Sequence, residues 1–125
     1  MRILETYARL FVADMDAALP IYERLVGAPA DLRFPFEEAE IAAVGGFLVV
    51  AGPDAAIDKY RGTVGPVIVD DLSALPAFLA DIGGTVVGEP VTSPTGRVVY
   101  ARHPDGTQVE YVEWTDEVRI RVLGG

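Results

Sequence analysis

Between Ile3 and Val12 the side chains alternate. Leu4, Thr6, Ala8, Leu10 and Val12 point one way, and Glu5, Tyr7, Arg9 and Phe11 the other, which predicts one strand over Ile3–Val12. The first set is the smoother apolar face and is expected to pack on helices. The second carries a charge pair, a phenol and a phenyl ring, a mix that suits a cavity wall. The period then changes. Ala18, Ile21, Tyr22 and Leu25 recur at helical spacing, which predicts a core-facing helix over Ala17–Val26, capped in Asp14–Asp16 and closed by Gly27. With Asp16 as the cap, Pro20 falls in the first turn or just past it, where little hydrogen bonding is lost. Short β-type runs follow at Leu32–Phe36, Ala39–Val44 and Phe47–Ala51, with Gly45-Gly46 as the turn between the last two. Residues 52–61 read as a polar loop with room for a helical turn at Ala55–Tyr60.

The pattern then starts again. Val64–Val69 reads as a strand, Asp70-Asp71-Leu72-Ser73 caps a helix over Ala74–Ile82, and Gly83-Gly84 closes it. Thr85–Val87, Arg97–Arg102 and Gln108–Trp114 read as three strands, the last two joined by the turn His103-Pro104-Asp105-Gly106. Each half is therefore βαβββ. The letters repeat too: Asp14, Leu19, Pro20, Tyr22, Val26 and Gly27 recur as Asp70, Leu75, Pro76, Phe78, Ile82 and Gly83, displaced by about 56 residues. Two modules that complete each other are expected within one α+β domain: module 1 at about 1–52, a linker at 53–63 and module 2 at about 64–114. The tail, 115–125, is charged and then apolar, and is expected to add an edge strand or to cover a partner.

Composition narrows the function classes. A net charge of −9 argues against nucleic acid and against an anionic membrane surface, both of which need a Lys/Arg surplus. The absence of cysteine excludes disulfides, thiolate metal sites and a Cys nucleophile. The apolar start is interrupted by Glu5 and Arg9, so it does not read as a signal peptide. No apolar run approaches the roughly 18 residues of a membrane span, and a cytoplasmic location is the expectation. Gly45-Gly46 and Gly83-Gly84 are turns and not a phosphate-binding fingerprint. One residue stands out. Glu110 lies in an otherwise apolar strand, sharing a face with Val112 and Trp114 while Val109, Tyr111 and Glu113 take the other. A carboxylate in that setting usually has a partner or a job.

The chain resembles the vicinal oxygen chelate superfamily, which includes glyoxalase I, bleomycin-binding resistance proteins, fosfomycin-resistance thiol transferases and extradiol dioxygenases. The match is carried by Leu10-Phe11-Val12-Ala13-Asp14-Met15-Asp16 with Tyr22 and Gly27, by Ile68-Val69-Asp70-Asp71-Leu72, and by His103-Pro104-Asp105-Gly106 with Glu110. It spans about residues 3–114. The resemblance implies paired βαβββ modules forming a curved mixed sheet around a cavity, and a homodimer. Metal-dependent members hold a divalent ion with side chains from the first and last strands of each module. Glu110 falls where the last strand carries its ligand, and Tyr7 where the first strand does. The other two positions fall at Thr63–Gly65 and Phe47–Val49, where no residue binds a metal well. No metal and no other cofactor is expected.

The leading expectation is a metal-free small-molecule binding protein of the glyoxalase/bleomycin-resistance type. It would sequester an apolar or aromatic compound, such as an antibiotic, against Tyr7, Arg9, Phe11, Phe47, Tyr100, Glu110 and Trp114. In the fosfomycin-resistance proteins a tyrosine near the position of Tyr100 contacts substrate. Phe11, Phe47 and Trp114 could stack on a planar ligand or serve as plain core. Glu110 could anchor a cationic group, act as a general base, or pair with Arg9 or Tyr7. The alternative is a glyoxalase- or dioxygenase-like enzyme, with an atypical metal site built on residues such as Glu5 and Glu110, or with acid/base chemistry by Glu110 and Tyr7. A third reading is a dimerisation scaffold without a small ligand. His103, the only histidine, is expected to be solvated in its turn and is given no role.

Overall fold

A computed structural model describes residues 1–124. The chain runs β1 (Ile3–Thr6), β2 (Ala8–Val12), α1 (Met15–Val26), β3 (Leu32–Phe36), β4 (Ala39–Val44), β5 (Phe47–Ala51), α2 (Asp54–Ile57), β6 (Thr63–Val69), α3 (Leu75–Ile82), β7 (Thr85–Ser93), β8 (Gly96–Arg102), β9 (Gln108–Trp114) and α4 (Asp116–Leu123). Single 3-10 turns cover Asp58–Tyr60 and Leu72–Ala74. The fold is α+β, with one four-stranded and one five-stranded mixed sheet.

The chain divides into two compact units. The first, Tyr7–Gly62, holds the sheet β2-β5-β4-β3. Its core is Met15 and Leu19 of α1 against Ala42, Val44, Val49 and Ala51, with Leu10, Val12, Tyr22 and Phe47 packed on it. The second, Met1–Thr6 with Thr63 onward, holds the sheet β1-β6-β9-β8-β7. Here Leu72, Leu75 and Leu79 pack on Val67, Val69, Val99, Ala101, Val109 and Tyr111. Within both units the first and last strands of the βαβββ module run parallel, β2 with β5 and β6 with β9. The repeat read from the letters is thus a repeat of topology. Leu19 and Leu75 are both buried, and Gly27 and Gly83 both close their helices in the left-handed region at φ 83° and 85°.

Six expectations need correction. The strand over Ile3–Val12 is two strands broken at Tyr7. β1 pairs antiparallel with β6, and β2 pairs parallel with β5 in the other sheet. Unbroken alternation gives no sign of that change of partner.

The α1 cap is Asp14, whose carboxylate accepts the Asp16 N–H at 3.0 Å, so the helix starts two residues early and Pro20 lies inside it. Pro20 leaves the Asp16 carbonyl without its helical donor, at an exposed position near the helix start where water can replace it. The face of α1 that turns inward is Met15–Leu19–Tyr22, leaving Ile21 65% and Leu25 68% exposed.

β7 is nine residues long. It continues through Gly88-Glu89-Pro90 by a register shift between Val87 and Val91, a bulge on an edge strand where proline is tolerated.

The tail forms α4 and no edge strand; Gly125 lies outside the described residues. Thr115 caps α4 by accepting the Val118 N–H at 3.3 Å, acidic Asp116 and Glu117 fill the first turn, and Arg121 lies in the last. Val118 and Val122, one turn apart, are half-buried. The same letters read as alternation because Val118, Ile120 and Val122 are also two apart.

Finally, His103 is half-buried and hydrogen-bonded, Nε2 standing 2.7 Å from the Tyr111 hydroxyl.

Candidate ligand-binding faces

Each sheet carries its helix on one face, and the strand registers place side chains on the other. In the Tyr7–Gly62 unit, Ala8 pairs with Phe47, Leu10 with Val49 and Val12 with Ala51, all on the α1 side. Arg9, paired with Leu48, and Phe11, paired with Val50, take the opposite face. Through β4 and β3 the same face receives Ile41 with Phe34, and Ala39 with Phe36. Arg33 marks the helix side, since its guanidinium bonds Asp16 of α1 at 2.7 Å and Glu40 at 2.8 Å. Phe11, Phe34, Phe36 and Ile41 are half-buried, so this face is apolar and aromatic with the Arg9 guanidinium set into it.

The 3-10 turn at Asp58–Tyr60 borders that face. Arg9 Nη1 donates to the Tyr60 carbonyl at 3.2 Å, and the Phe36 and Tyr60 rings stand 6.5 Å apart. The Arg61 guanidinium lies 5.0 Å over the Phe11 ring, a cation–π distance. Glu37, at φ 54° in the β3–β4 turn, ties the segment down by accepting from Lys59 and, at 2.9 Å, from the Tyr60 hydroxyl. The Lys59 bond first and the Tyr60 bond second hold the Glu37 carboxyl below the usual range. Tyr7, the first residue of the unit, is buried.

In the second unit, Val99 pairs with Tyr111 and Ala101 with Val109 on the α3 side. The other face carries Tyr100 directly opposite Glu110, Val98 opposite Val112 and Gly96 opposite Trp114. Ile68 and Glu5 join it, because Ile68 pairs with both Val112 and Glu5. Tyr100 and Glu110 are half-buried and Trp114 is buried. Gln108 Nε2 donates to Thr63 Oγ1 at 3.3 Å at one end of the same face. On the α3 side, Glu113 Oε1 accepts the Leu72 N–H at 2.7 Å and so satisfies the start of the 3-10 turn before α3.

Tyr100, Glu110 and Trp114 therefore share one face of the second unit, and Arg9 and Phe11 share one face of the first. Phe47 does not join Arg9 and Phe11. It lies on the α1 side with its ring 5.6 Å from that of Tyr22. Phe34, Phe36 and Ile41 were not singled out from the sequence, although the alternation in Leu32-Arg33-Phe34-Pro35-Phe36 could have flagged the two rings.

The divalent ion of the resemblance can be tested at Glu110. Its neighbour across β6 is Gly65, where a β-carbon would stand 2.8 Å from the Glu110 carbonyl oxygen and 3.1 Å from the Val67 nitrogen. No donor side chain fits there. Among the described residues, no three His, Cys, Asp or Glu side chains gather where they could hold a metal ion. A divalent ion of the open-site type needs three or four such donors, so the residues present do not fit it.

Comparison with known proteins agrees with this architecture. A hypothetical protein from Methanosarcina mazei, known from its crystal structure, superposes with a TM-score of 0.86 at 38% identity, over 92% of this chain and 95% of that one. Methylmalonyl-CoA epimerase from Mycobacterium tuberculosis superposes with a TM-score of 0.67 at 22% identity, over 93% of this chain and 91% of that one. The chain has the fold of these proteins, as its resemblance to the vicinal oxygen chelate superfamily implies. A third structure, a variant of Streptomyces coelicolor methylmalonyl-CoA epimerase in complex with 2-nitronate-propionyl-CoA, gives a TM-score of 0.64 at 20% identity, over 93% of this chain and 96% of that one. At these identities the epimerases share the superfamily fold and nothing finer is carried over. No protein-family model and no curated protein matches the sequence. No helix among the described residues is long and apolar enough to cross a membrane.

Proposed function

We propose that this protein is a metal-free small-molecule binding protein that holds an apolar or aromatic compound. The observation that carries the reading is the face of the β2-β5-β4-β3 sheet away from α1. It presents half-buried Phe11, Phe34, Phe36 and Ile41 around Arg9. Half-buried rings with the Arg9 guanidinium among them, and Arg61 over Phe11, offer a planar, weakly polar ligand stacking area and orienting contacts. Tyr100, Glu110 and Trp114 supply the same mixture on the second unit.

The test is a thermal-shift and calorimetric screen against planar aromatic compounds and, separately, divalent cations. Saturating aromatic ligand at 100 times its Kd should add about 2.7 kcal/mol of stability. Phe11→Ala and Phe36→Ala should each weaken that ligand. Stabilisation by divalent cations alone, with no response to any aromatic compound, would overturn the reading.

A second reading is acid/base chemistry on a carbon acid, with Glu110 as the base. The pairing of Glu110 with Tyr100 favours it, because a phenol beside a carboxylate provides an acid and a base on one face. The epimerases that share the fold make acyl-CoA thioesters the first substrates to try. Deuterium uptake at the carbon next to the thioester, abolished by Glu110→Gln, would support this reading; no uptake would reject it for that class.

A further inference from the structure

We infer that residues 53–61 form a strap over the aromatic face of the first unit, hinged at Gly52 and Gly62 and latched by Glu37, so that a ligand reaches Phe11 and Phe36 when the latch opens. The gating of a ligand rests on the binding function proposed for this face; the motion of the strap does not. The strap is built as a cover. Ala56, Ile57 and Tyr60 are buried, whereas Asp54, Asp58, Lys59 and Arg61 are exposed. The Tyr60 ring stands 6.5 Å from that of Phe36, and the Arg61 guanidinium 5.0 Å over Phe11. Bonds within the strap are local: the Ala56 N–H donates to the Pro53 carbonyl at 2.9 Å, and the Arg61 N–H to the Asp58 carbonyl at 3.2 Å. Such bonds survive when the segment moves as a body. Glycine at both ends tolerates the change in backbone angles that a hinge needs.

Glu37 joins this strap to the sheet. One carboxylate oxygen, Oε2, accepts from Lys59 Nζ and, at 2.9 Å, from the Tyr60 hydroxyl. Glu37 does so from φ 54°, in the turn between β3 and β4. That backbone conformation favours glycine, and a glutamate there costs free energy. The turn itself needs no carboxylate, so what the strained residue adds is its hold on Lys59 and Tyr60. The side chains of Lys59 and Glu37 are 52% and 43% exposed, and an ion pair in that setting is weak. A weak bond at one point suits a latch that must release, as a buried core contact would not.

The test uses the full chain. Lys59 is its only lysine, so lysyl endopeptidase has one bond to cut, inside the 3-10 turn Asp58–Tyr60. A protease needs that turn unwound, so the cleavage rate reads the open population. Glu37→Gln should raise the rate about 5-fold or more, and Tyr60→Phe should raise it too while the Lys59 pair stays in place. Val49→Ala weakens the buried core of the same unit and should leave the rate unchanged. No change in Glu37→Gln would overturn the strap. So would an equal rise in Val49→Ala, because cleavage would then follow unfolding of the whole unit. Stopped-flow binding of β-naphthol tests the gate. Entry and exit both pass the strap, so Glu37→Gln should raise the association and dissociation rates by the same factor and leave Kd unchanged. Loss of a contact, as in Phe11→Ala, should raise Kd instead. Binding at rates indifferent to Glu37→Gln would overturn the gate and leave the binding function standing. A chain that does not bind β-naphthol would count against the binding function and the gate together, with the strap's motion still decided by cleavage.

Discussion

A β-carbon added to Gly65 would stand 2.8 Å from the carbonyl oxygen of Glu110. Gly65 also has φ 121°, where a side chain strains the backbone. The irregular part of β6 thus lies backbone against backbone on the strand that carries the candidate carboxylate. Gly65→Ala should destabilise the protein by about 2–4 kcal/mol, combining backbone strain with a contact that neither strand can relieve. Urea unfolding should show a lower midpoint at unchanged slope. A variant as stable as the parent would mean that β6 can move away from Glu110.

Glu113 acts at a distance from its own strand. Its carboxylate accepts the N–H of Leu72, a residue buried in the α3 core. Glu113→Ala leaves that N–H without its acceptor and should cost about 1–3 kcal/mol, read as a shift in the urea midpoint. Glu113→Gln keeps a neutral acceptor of the same reach and should lose less. Equal losses in the two variants would assign the effect to side-chain packing.

These two contacts show what the letters could and could not carry. The βαβββ repeat was legible because the positions that build it are local: Leu19 and Leu75 fill the core, and Gly27 and Gly83 take a backbone conformation that few other residues reach. The alternation of Gln108–Trp114 placed Glu110 opposite Tyr111 in facing, and the structure keeps that arrangement. Contacts between distant segments were not legible. Nothing near Tyr7 announces that β1 and β2 choose different sheets, since alternation is the same for any partner. Phe47 was placed with Arg9 and Phe11 because its face depends on the parallel register of β5 on β2, which no local pattern encodes. The inward face of α1 was misread for a related reason. Four apolar letters at helical spacing define a stripe, but Met15 and Leu19 define a competing one, and only the sheet decides between them.

Glu37 links the β3–β4 turn to the 3-10 turn at Asp58–Tyr60. Bonds from Lys59 and Tyr60 lower its carboxyl pKa in the folded protein. A depressed carboxyl stabilises the fold fully above the unfolded pKa, and that contribution is lost as pH falls through the folded value. Glu37→Gln should therefore flatten the decline in stability below about pH 4.5 and lower the stability at neutral pH. Chemical unfolding of parent and variant from neutral to acid pH checks it. Asp71 and Asp105, both lowered chiefly by bonds to Ser73 and Thr107, add to the parent's acid sensitivity and are common to both proteins. Parallel stability curves for parent and variant would remove Glu37 from the account.

Tyr111 sits in the α3 core with its hydroxyl 2.7 Å from His103 Nε2. Burial raises the pKa of its phenol, because the phenolate would lose its hydration in a wall of aliphatic side chains. A group raised in the fold contributes stability that is present below its unfolded pKa and is lost as pH rises through the folded value. Alkaline pH should therefore destabilise the protein beyond about pH 10, and Tyr111→Phe should remove that part of the decline. Spectrophotometric titration should show a tyrosine step above the ordinary range that the variant lacks. At neutral pH the variant loses the hydrogen bond and should be about 1 kcal/mol less stable. His103→Ala deletes the same bond but keeps the buried phenol, so it should show the neutral-pH loss and retain the alkaline decline. That contrast separates the bond from the burial, and identical alkaline curves for the two variants would contradict the assignment of the shift to burial.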